Sequence, residues 1–391
     1  MRTRNHIVMV GCTAPSHVYP SLGVIRELVR RGHRVSYVVG EPLSDLVAPA
    51  GAEVVAHPTS FPLGESAAWP DDPADAMRIF LDEAIAIHPL LTSVFDHDRP
   101  DLLLYDIGGL GAPLLAQRYG VPAVQLSPTL VAWDGYEEDN REIMDALRNS
   151  ASGKDYNDAF TEWLAGNDIV SEGWDWLYRR GPVLSLIPRA MQPHAGRVPD
   201  TVRFVGPCLD PARLAEPWQA PSSGKRVLLV SFGTAFNDQL DVYRACIEAF
   251  AGSDWHVVMA IGKQVSVPDL GPLPESFEVF ESVPQLAVLE AASAFVTHAG
   301  MGGCTESLWF GVPTVAIPQA ADQFGNAAQL EALGVGRHLP ASSVTAASLR
   351  EAVDAVASSP SVASRLSSLR AEIRGHGGVF AAADAVESYL D

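Results

Sequence analysis

Short apolar runs alternate with amphipathic stretches along this chain, and the alternation occurs twice. His6 to Gly11, Arg34 to Val39, Glu53 to Ala56, Leu102 to Tyr105 and Ala123 to Gln125 read as strands, with helical patterns such as Leu22 to Arg31 and Ala76 to Phe95 between them. Strands that alternate with helices form a parallel, doubly wound sheet, whose ligands bind beyond the carboxyl ends of the strands. From Pro207 to Lys225 the composition changes, and Pro207, Pro211, Pro217, Pro221 and Ser222-Ser223-Gly224 read as a linker. The alternation then restarts at Val227 to Ser231, with further strands at Val257 to Ala260, Phe295 to Thr297 and Thr314 to Ile317. The expected class is α/β, with two facing Rossmann-like domains, parallel sheets and a cleft between them. The expected boundaries are 1–206, a linker over 207–225, a second domain over 226–375 and a terminal helical stretch over 376–391.

Composition narrows the partners. Hydrophobic residues make up 47% of the 391 residues and charged ones 19%, as in a globular chain. A formal net charge of −20 argues against a nucleic-acid partner, which needs a basic surface, and against docking on an anionic membrane. No apolar run approaches the roughly 18 residues of a membrane span. The basic start, Met1 to Arg4, is followed by an apolar run (Ile7 to Val10) too short for a signal peptide. Cys12, Cys208, Cys246 and Cys304 are scattered without metal-ligand spacing, so a reduced, cytoplasmic location is expected.

The most specific stretch is Thr297-His298-Ala299-Gly300-Met301-Gly302-Gly303-Cys304-Thr305-Glu306. It follows the apolar Ala294-Phe295-Val296, and Thr305 to Phe310 reads as a helix start. A strand, a glycine turn and a helix N-terminus make an anion site. The first helical N–H groups lack internal partners, the helix dipole adds positive charge, and glycines admit a phosphate closely. His298 would add a donor at the strand end, and Glu306 could accept from ribose hydroxyls. The pattern suits a nucleotide diphosphate carrying a sugar.

This run, with Val283-Pro284-Gln285 before it and Pro318-Gln319 and Asp322-Gln323 after it, resembles the donor signature of family 1 glycosyltransferases. It is most similar to the bacterial macrolide glycosyltransferases of the oleandomycin glycosyltransferase type. The resemblance extends from Val8 to the terminal helix and implies the GT-B fold, with that helix (Ala381 to Leu390) crossing back onto the first domain. It implies donor-binding roles for Thr234, Ser282, Val283, Gln285, His298, Gly300, Gly302, Gly303, Glu306, Asp322 and Gln323. One departure falls here: Ser282 stands where relatives carry a base-stacking Trp, and Phe280 and Trp309 are the nearby aromatics.

For catalysis, His17 follows the first strand in Ala14-Pro15-Ser16-His17-Val18-Tyr19-Pro20, with Pro20 suited to a first helical turn. Asp106 ends Leu102-Leu103-Leu104-Tyr105-Asp106. An imidazole backed by a carboxylate is a general base, and the resemblance implies the same dyad. From spacing alone, His17 also fits a helix-start residue bonded to backbone, and Asp106 a cap for a helix beginning near Gly108. A second departure is Pro15-Ser16 and Tyr19 where relatives have His-Gly and Asn, so acceptor choice transfers less directly than reaction type.

Residues Asp134 to Arg180 read as an irregular aromatic insertion. With the loop around Ser60 to Pro70, it lines the acceptor pocket in the family, giving Trp69, Trp133 and Tyr136 as acceptor-binding candidates. The alternative is that these aromatics pack the insertion's own small core. Asp71-Asp72-Pro73-Ala74-Asp75 favours helix capping over metal binding, and no metal and no cofactor are expected. The expected function is metal-independent, inverting transfer of a sugar, with UDP-glucose first and a dTDP-deoxysugar second, to a hydroxyl of a macrolide or polyphenol. The expected state is a monomer or homodimer. The alternatives are a nucleotide-sugar epimerase of the same fold and a catalytically weak nucleotide-sugar-binding auxiliary protein.

Overall fold

The computed structural model describes residues 4–62, 69–179, 181–234 and 237–390. The chain forms two compact units, one of Met1–Leu186, His194–Cys208 and Val379–Asp391, the other of Ile187–Pro193 and Leu209–Gly378. Segment Ile187–Pro193 therefore groups with the second unit, not with residues 1–206. Its tie there includes Gln329 Nε2, which donates to the Ala190 carbonyl at 2.7 Å.

The first unit carries β1 (His6–Val10), β2 (Arg34–Gly40), β3 (Glu53–His57), β4 (Leu102–Tyr105), β5 (Ala123–Ser127), β6 (Val183–Ser185) and β7 (Val202–Phe204). They form one parallel sheet in the order β3-β2-β1-β4-β5-β6-β7. The order reverses at β1, where β2 lies on one side and β4 on the other. Both faces are covered, which is why the strands read as continuous apolar runs. Ile7 and Met9 face a core with Leu22 and Ile25 of the helix Pro15–Arg30, while Val8 and Val10 face Leu91 and Phe95 of the helix Pro73–Phe95. Each such side chain contributes about 1.5–3 kcal/mol by leaving water.

The second unit carries β8 (Arg226–Ser231), β9 (Trp255–Ala260), β10 (Phe277–Phe280), β11 (Ala292–Thr297), β12 (Thr314–Ala316) and β13 (Gly336–His338). These are also all parallel, in the order β10-β9-β8-β11-β12-β13, so this sheet reverses at β8. Strands β6, β7, β10 and β13 were not anticipated from sequence. The expected linker contains a helical turn, Pro211–Leu214, capped by the Asp210 carboxylate on Ala212 N–H.

Three further expectations are corrected. The first helix begins at Pro15, and Pro20 lies inside it, since Pro15 already supplies the proline of the first turn. The insertion is helical, with Tyr136–Asp139, Arg141–Asn149, Ala151–Ala165 and Gly173–Leu177; its Arg180 lies outside the described residues. The helix with the glycine-rich start begins at Met301, which places Gly302 and Gly303 in its first turn. The Asp71–Asp75 cluster does cap a helix: Asp72 accepts from the N–H groups of Ala74 and Asp75 at 2.8 and 3.1 Å.

The last helix, Gly378–Glu387, buries Ala382, Ala383, Ala385 and Val386 in the core beside β1. An ionic cluster holds it. Arg31 donates to Glu27 Oε1 at 2.8 Å, Asp384 Oδ1 at 2.6 Å and Glu387 Oε2 at 2.8 Å, and His33 Nε2 lies 3.1 Å from Glu387 Oε1. Hydrogen bonds from Arg30 and then Arg31 outweigh burial and hold the Glu27 carboxyl down at about 2. Arg31→Ala leaves Glu27 its two bonds from Arg30 but removes the guanidinium that joins Glu27 to Asp384 and Glu387, so it should lower stability by about 1.5–3 kcal/mol. Chemical denaturation checks this, and a variant within about 0.5 kcal/mol of the parent would contradict it.

Candidate active site

In the first unit, the sheet's reversal point brings the two catalytic candidates together. β1 and β4 pair in register, Val10 opposite Tyr105, so the segments leaving both strands emerge side by side. His17, in the first turns of Pro15–Arg30, presents Nδ1 at 3.0 and 3.2 Å from the two oxygens of Asp106. Asp106 is 1% exposed and sits on a short, well-fixed loop: its N–H donates to Val10 carbonyl at 3.1 Å, and its Oδ1 accepts from Gly108 N–H at 3.1 Å. The capping reading of Asp106 is thus replaced by a local loop bond, because the next helix starts only at Ala112. That bond and the bond to His17 coexist. Holding Nδ1 on a carboxylate fixes the tautomer with Nε2 as acceptor.

Sequence reasoning passed over Cys12. Its thiol lies with His17 and Asp106 so that one ligand atom from each falls within 4.8 Å of the others, and no other such group occurs among the described residues. Burial first, and then the Asp106 and Glu83 charges, push the thiol well above its ordinary pKa, so it is no nucleophile. The signal was present only as Cys12 and His17 five residues apart. The third member arrives from another strand.

Of the acceptor candidates, Trp69 belongs to an aromatic cluster with Phe61 (5.4 Å between ring centres) and Phe80 (6.0 Å). Phe80 abuts the loop of the dyad: a Cβ on Gly108 would sit 2.8 Å from its ring and 3.3 Å from Cys12 Cβ. Residues 63–68 of the same loop lie outside the described residues. Trp133 and Tyr136 form a separate cluster with each other (4.9 Å) and with His194 (4.7 Å), and Trp133 Nε1 donates to Asp139 at 2.7 Å. The insertion's Tyr156 and Trp174 are buried with Phe160 and Leu164, but against Leu81 and Ala84 of the helix Pro73–Phe95 and Leu114 of the helix Ala112–Tyr119, so they join the first unit and form no separate core.

In the second unit, the loops after β8 and β11 meet around His298. The imidazole is wedged between glycines: a Cβ on Gly233 would lie 2.6 Å from its Cε1, and one on Gly300 would lie 2.4 Å from its Nε2. Burial lowers the His298 pKa to about 4, so the ring is neutral at pH 7. The chain turns at Ala299, whose φ of 63° is unusual for a residue with a Cβ. Asn326 Nδ2 holds its carbonyl at 3.0 Å, and Thr297 Oγ1 accepts its N–H at 3.3 Å. Gly300 then caps Met301–Phe310 with no side-chain bond, which leaves the first N–H groups of the helix for a ligand. Gly302 is exposed, and a notional Cβ there would meet nothing beyond its own helix within 4 Å. Thr234 is exposed on the β8 loop.

Glu306, one turn into the helix, is 6% exposed and held at both oxygens. Gln285 Nε2 donates to Oε2 at 2.5 Å, and Arg213 donates to Oε1 at 2.9 Å. Arg213 was missed because it stands in the proline-rich stretch read as a linker. A carboxylate has lone pairs enough to accept two further bonds.

Gln323 does not project freely. Its Oε1 accepts from Gln319 and Ala320 N–H at 2.8 and 3.1 Å, leaving Nε2 as its donor. Asp322 is exposed and bonded to Asn326 Nδ2 at 2.8 Å, following Ala321, a second non-glycine residue at positive φ (52°). Ser282 is exposed and Val283 half-buried, while Phe280 is 47% exposed at the end of β10. Trp309 lies under the Arg374 guanidinium at 5.2 Å, so Phe280 is the freer ring.

Residues 244–377 match the family model described as erythromycin biosynthesis protein CIII-like, C-terminal domain. The chain is 44% identical to oleandomycin glycosyltransferase of Streptomyces antibioticus, over 99% of this chain and 91% of that protein. It is 33% identical to NDP-glycosyltransferase YjiC of Bacillus licheniformis, over 98% of each. The solved glycotransferase of kitacinnamycin is 40% identical, with a TM-score of 0.91 and full coverage of both chains.

Two outcomes follow from the packing around His298. Gly300→Ala should cost about 1–3 kcal/mol in stability, because backbone and ring cannot both stay in place. The pH dependence has a definite sign. Between 6.5 and about 4 the unfolded chain binds a proton that folded His298 refuses, so stability falls as pH drops through that window. His298→Gln should flatten this part of a stability-versus-pH curve, and an unchanged slope would refute the neutral, buried ring.

Proposed function

The chain belongs to the family 1 glycosyltransferases of the macrolide type, enzymes of the GT-B fold, and from that premise we propose metal-independent, inverting transfer of glucose from UDP-glucose to a hydroxyl of a bulky natural product. The observation that carries the mechanism is the His17–Asp106 pair. With Nδ1 committed to Asp106, Nε2 takes the proton of the acceptor hydroxyl, and the buried carboxylate stabilises the imidazolium. The acceptor oxygen attacks the anomeric carbon from the face opposite the diphosphate. The carbon–oxygen bond to the diphosphate breaks, and an α-linked donor gives a β-glycoside.

Charge builds on the departing diphosphate, and the open N-terminus of Met301–Phe310 is the support for its placement. Neutral His298 and Thr234 complete the donor set. Fixed backbone dipoles of this kind stabilise developing charge without a metal ion. Glu306, oriented by Arg213 and Gln285, accepts from the ribose hydroxyls, and Asp322 with the free Nε2 of Gln323 takes the sugar hydroxyls. Phe280 is the proposed base platform in place of the family Trp, with a dTDP-sugar as the second donor. The Trp69 cluster beside the dyad suits an apolar or aromatic acceptor. A cytoplasmic location agrees with four buried, unpaired cysteines; no described helix is long and apolar enough to cross a membrane.

Mass spectrometry of acceptor-library reactions with UDP-glucose and, separately, dTDP-glucose in EDTA tests the reading. A gain of one hexosyl unit is expected, with UDP-glucose the faster donor. His17→Ala should cut kcat by about 10²–10⁴-fold. An intact His17→Ala protein with parental turnover would refute the mechanism. Arg213→Met should raise the donor KM by about tenfold and leave kcat nearly unchanged, as expected for loss of a charge-assisted hydrogen bond to Glu306. An unchanged donor KM would remove Arg213 from donor binding.

A further inference from the structure

We propose that Cys12, His17 and Asp106 form a binding site for a thiophilic divalent cation, zinc above all, and that occupation of this site switches off the catalytic base. The three residues supply a sulfur, a nitrogen and an oxygen, all within 4.8 Å of one another. Zinc accepts this mixed donor set, with bonds of about 2.0–2.3 Å to each type. Tetrahedral coordination asks for ligand separations of about 3.3–3.6 Å, so an inward shift on the order of 1 Å closes the site. The nitrogen and oxygen already stand 3.0 Å apart. A hard cation such as magnesium prefers an all-oxygen shell and is not selected by these ligands.

Inhibition follows from which imidazole nitrogen is used. In the metal-free dyad, Nδ1–H points at Asp106 and Nε2 keeps its lone pair. Zinc at Nδ1 replaces that proton and consumes the carboxylate partner. The ring proton then resides on Nε2, which can no longer accept from a hydroxyl. The thiol proton is released to solvent as the zinc–sulfur bond forms. Cys12 has no part in the transfer mechanism described above, and its position beside the dyad is the feature that converts two potential ligands into three.

Binding rests on geometry alone, whereas inhibition also rests on His17 as the base, so the two are measured apart. Zinc binding is titrated calorimetrically on the full chain, free of nucleotide, for the parent, Cys12→Ala and Cys12→Ser, with thermal denaturation to confirm folding. Cobalt(II) is added as a spectroscopic probe. Transfer rates at fixed saturating donor are then followed against free zinc, each variant referred to its own zinc-free rate.

The expected result is one zinc per chain, at least tenfold weaker binding in both variants, and a thiolate-to-cobalt absorption band seen only in the parent. Zinc should lower the parent's rate at least tenfold, and at the same concentration the variants should keep most of theirs. No zinc binding, or equal binding by parent and variants, would overturn the site. Cys12-dependent binding without loss of rate would overturn the switch and count against His17 as the base.

Discussion

In the first sheet the chain lays β2 and β3 to one side of β1 and then returns to place β4 on the other, with Val10 opposite Tyr105. Backbone hydrogen bonds along this seam put the ends of two strands side by side, and their following segments diverge to opposite faces. The opening they leave is where His17 and Asp106 meet. The 3.0 Å contact between residues 89 positions apart is therefore set by strand pairing. Loop chemistry only refines it, through the Asp106 bonds to Val10 and Gly108. Anything that shifts the β1–β4 register moves His17 away from the Asp106 carboxylate.

The second sheet repeats the device with different contents. There the seam lies between β8 and β11, and what meets is a glycine loop, a neutral histidine and an uncapped helix end. Two alanines with left-handed backbones, Ala299 and Ala321, flank this site. Such conformations persist only where surrounding bonds over-determine them. Asn326 connects the two places, bonded to Ala299 carbonyl and to Asp322.

The parts of this arrangement that could be read from sequence are those where burial and periodicity agree. Leu102–Tyr105, apolar at nearly every position, matched its strand residue for residue. Gly336–His338 has no apolar run and becomes a strand only by pairing with β12, so nothing local announces it. The glycines at 302 and 303 read as a turn because glycine weakens a helix by up to about 1 kcal/mol per residue, yet the turn itself is made by Ala299. Asp106 and His298 were legible because each directly follows a strand, and His17 because it lies at the start of the helix that follows β1. Arg213 and Cys12 were not, since their importance comes from partners distant in sequence, Glu306 and Asp106.

The first unit is discontinuous: its last helix comes from the far end of the chain and is held by Arg31, Glu27 and His33. Recombination between related enzymes by a single crossover in the proline-rich stretch would therefore not exchange whole units. It would graft a foreign terminal helix onto the native first sheet, and a parent lacking acids at 384 and 387 would leave the Arg31 guanidinium without two of its carboxylates. Clean exchange of the second unit needs a second crossover before Val379. A hybrid library built with one junction samples mismatched helix interfaces along with new pairings of the two units, and its inactive members report on folding as much as on chemistry.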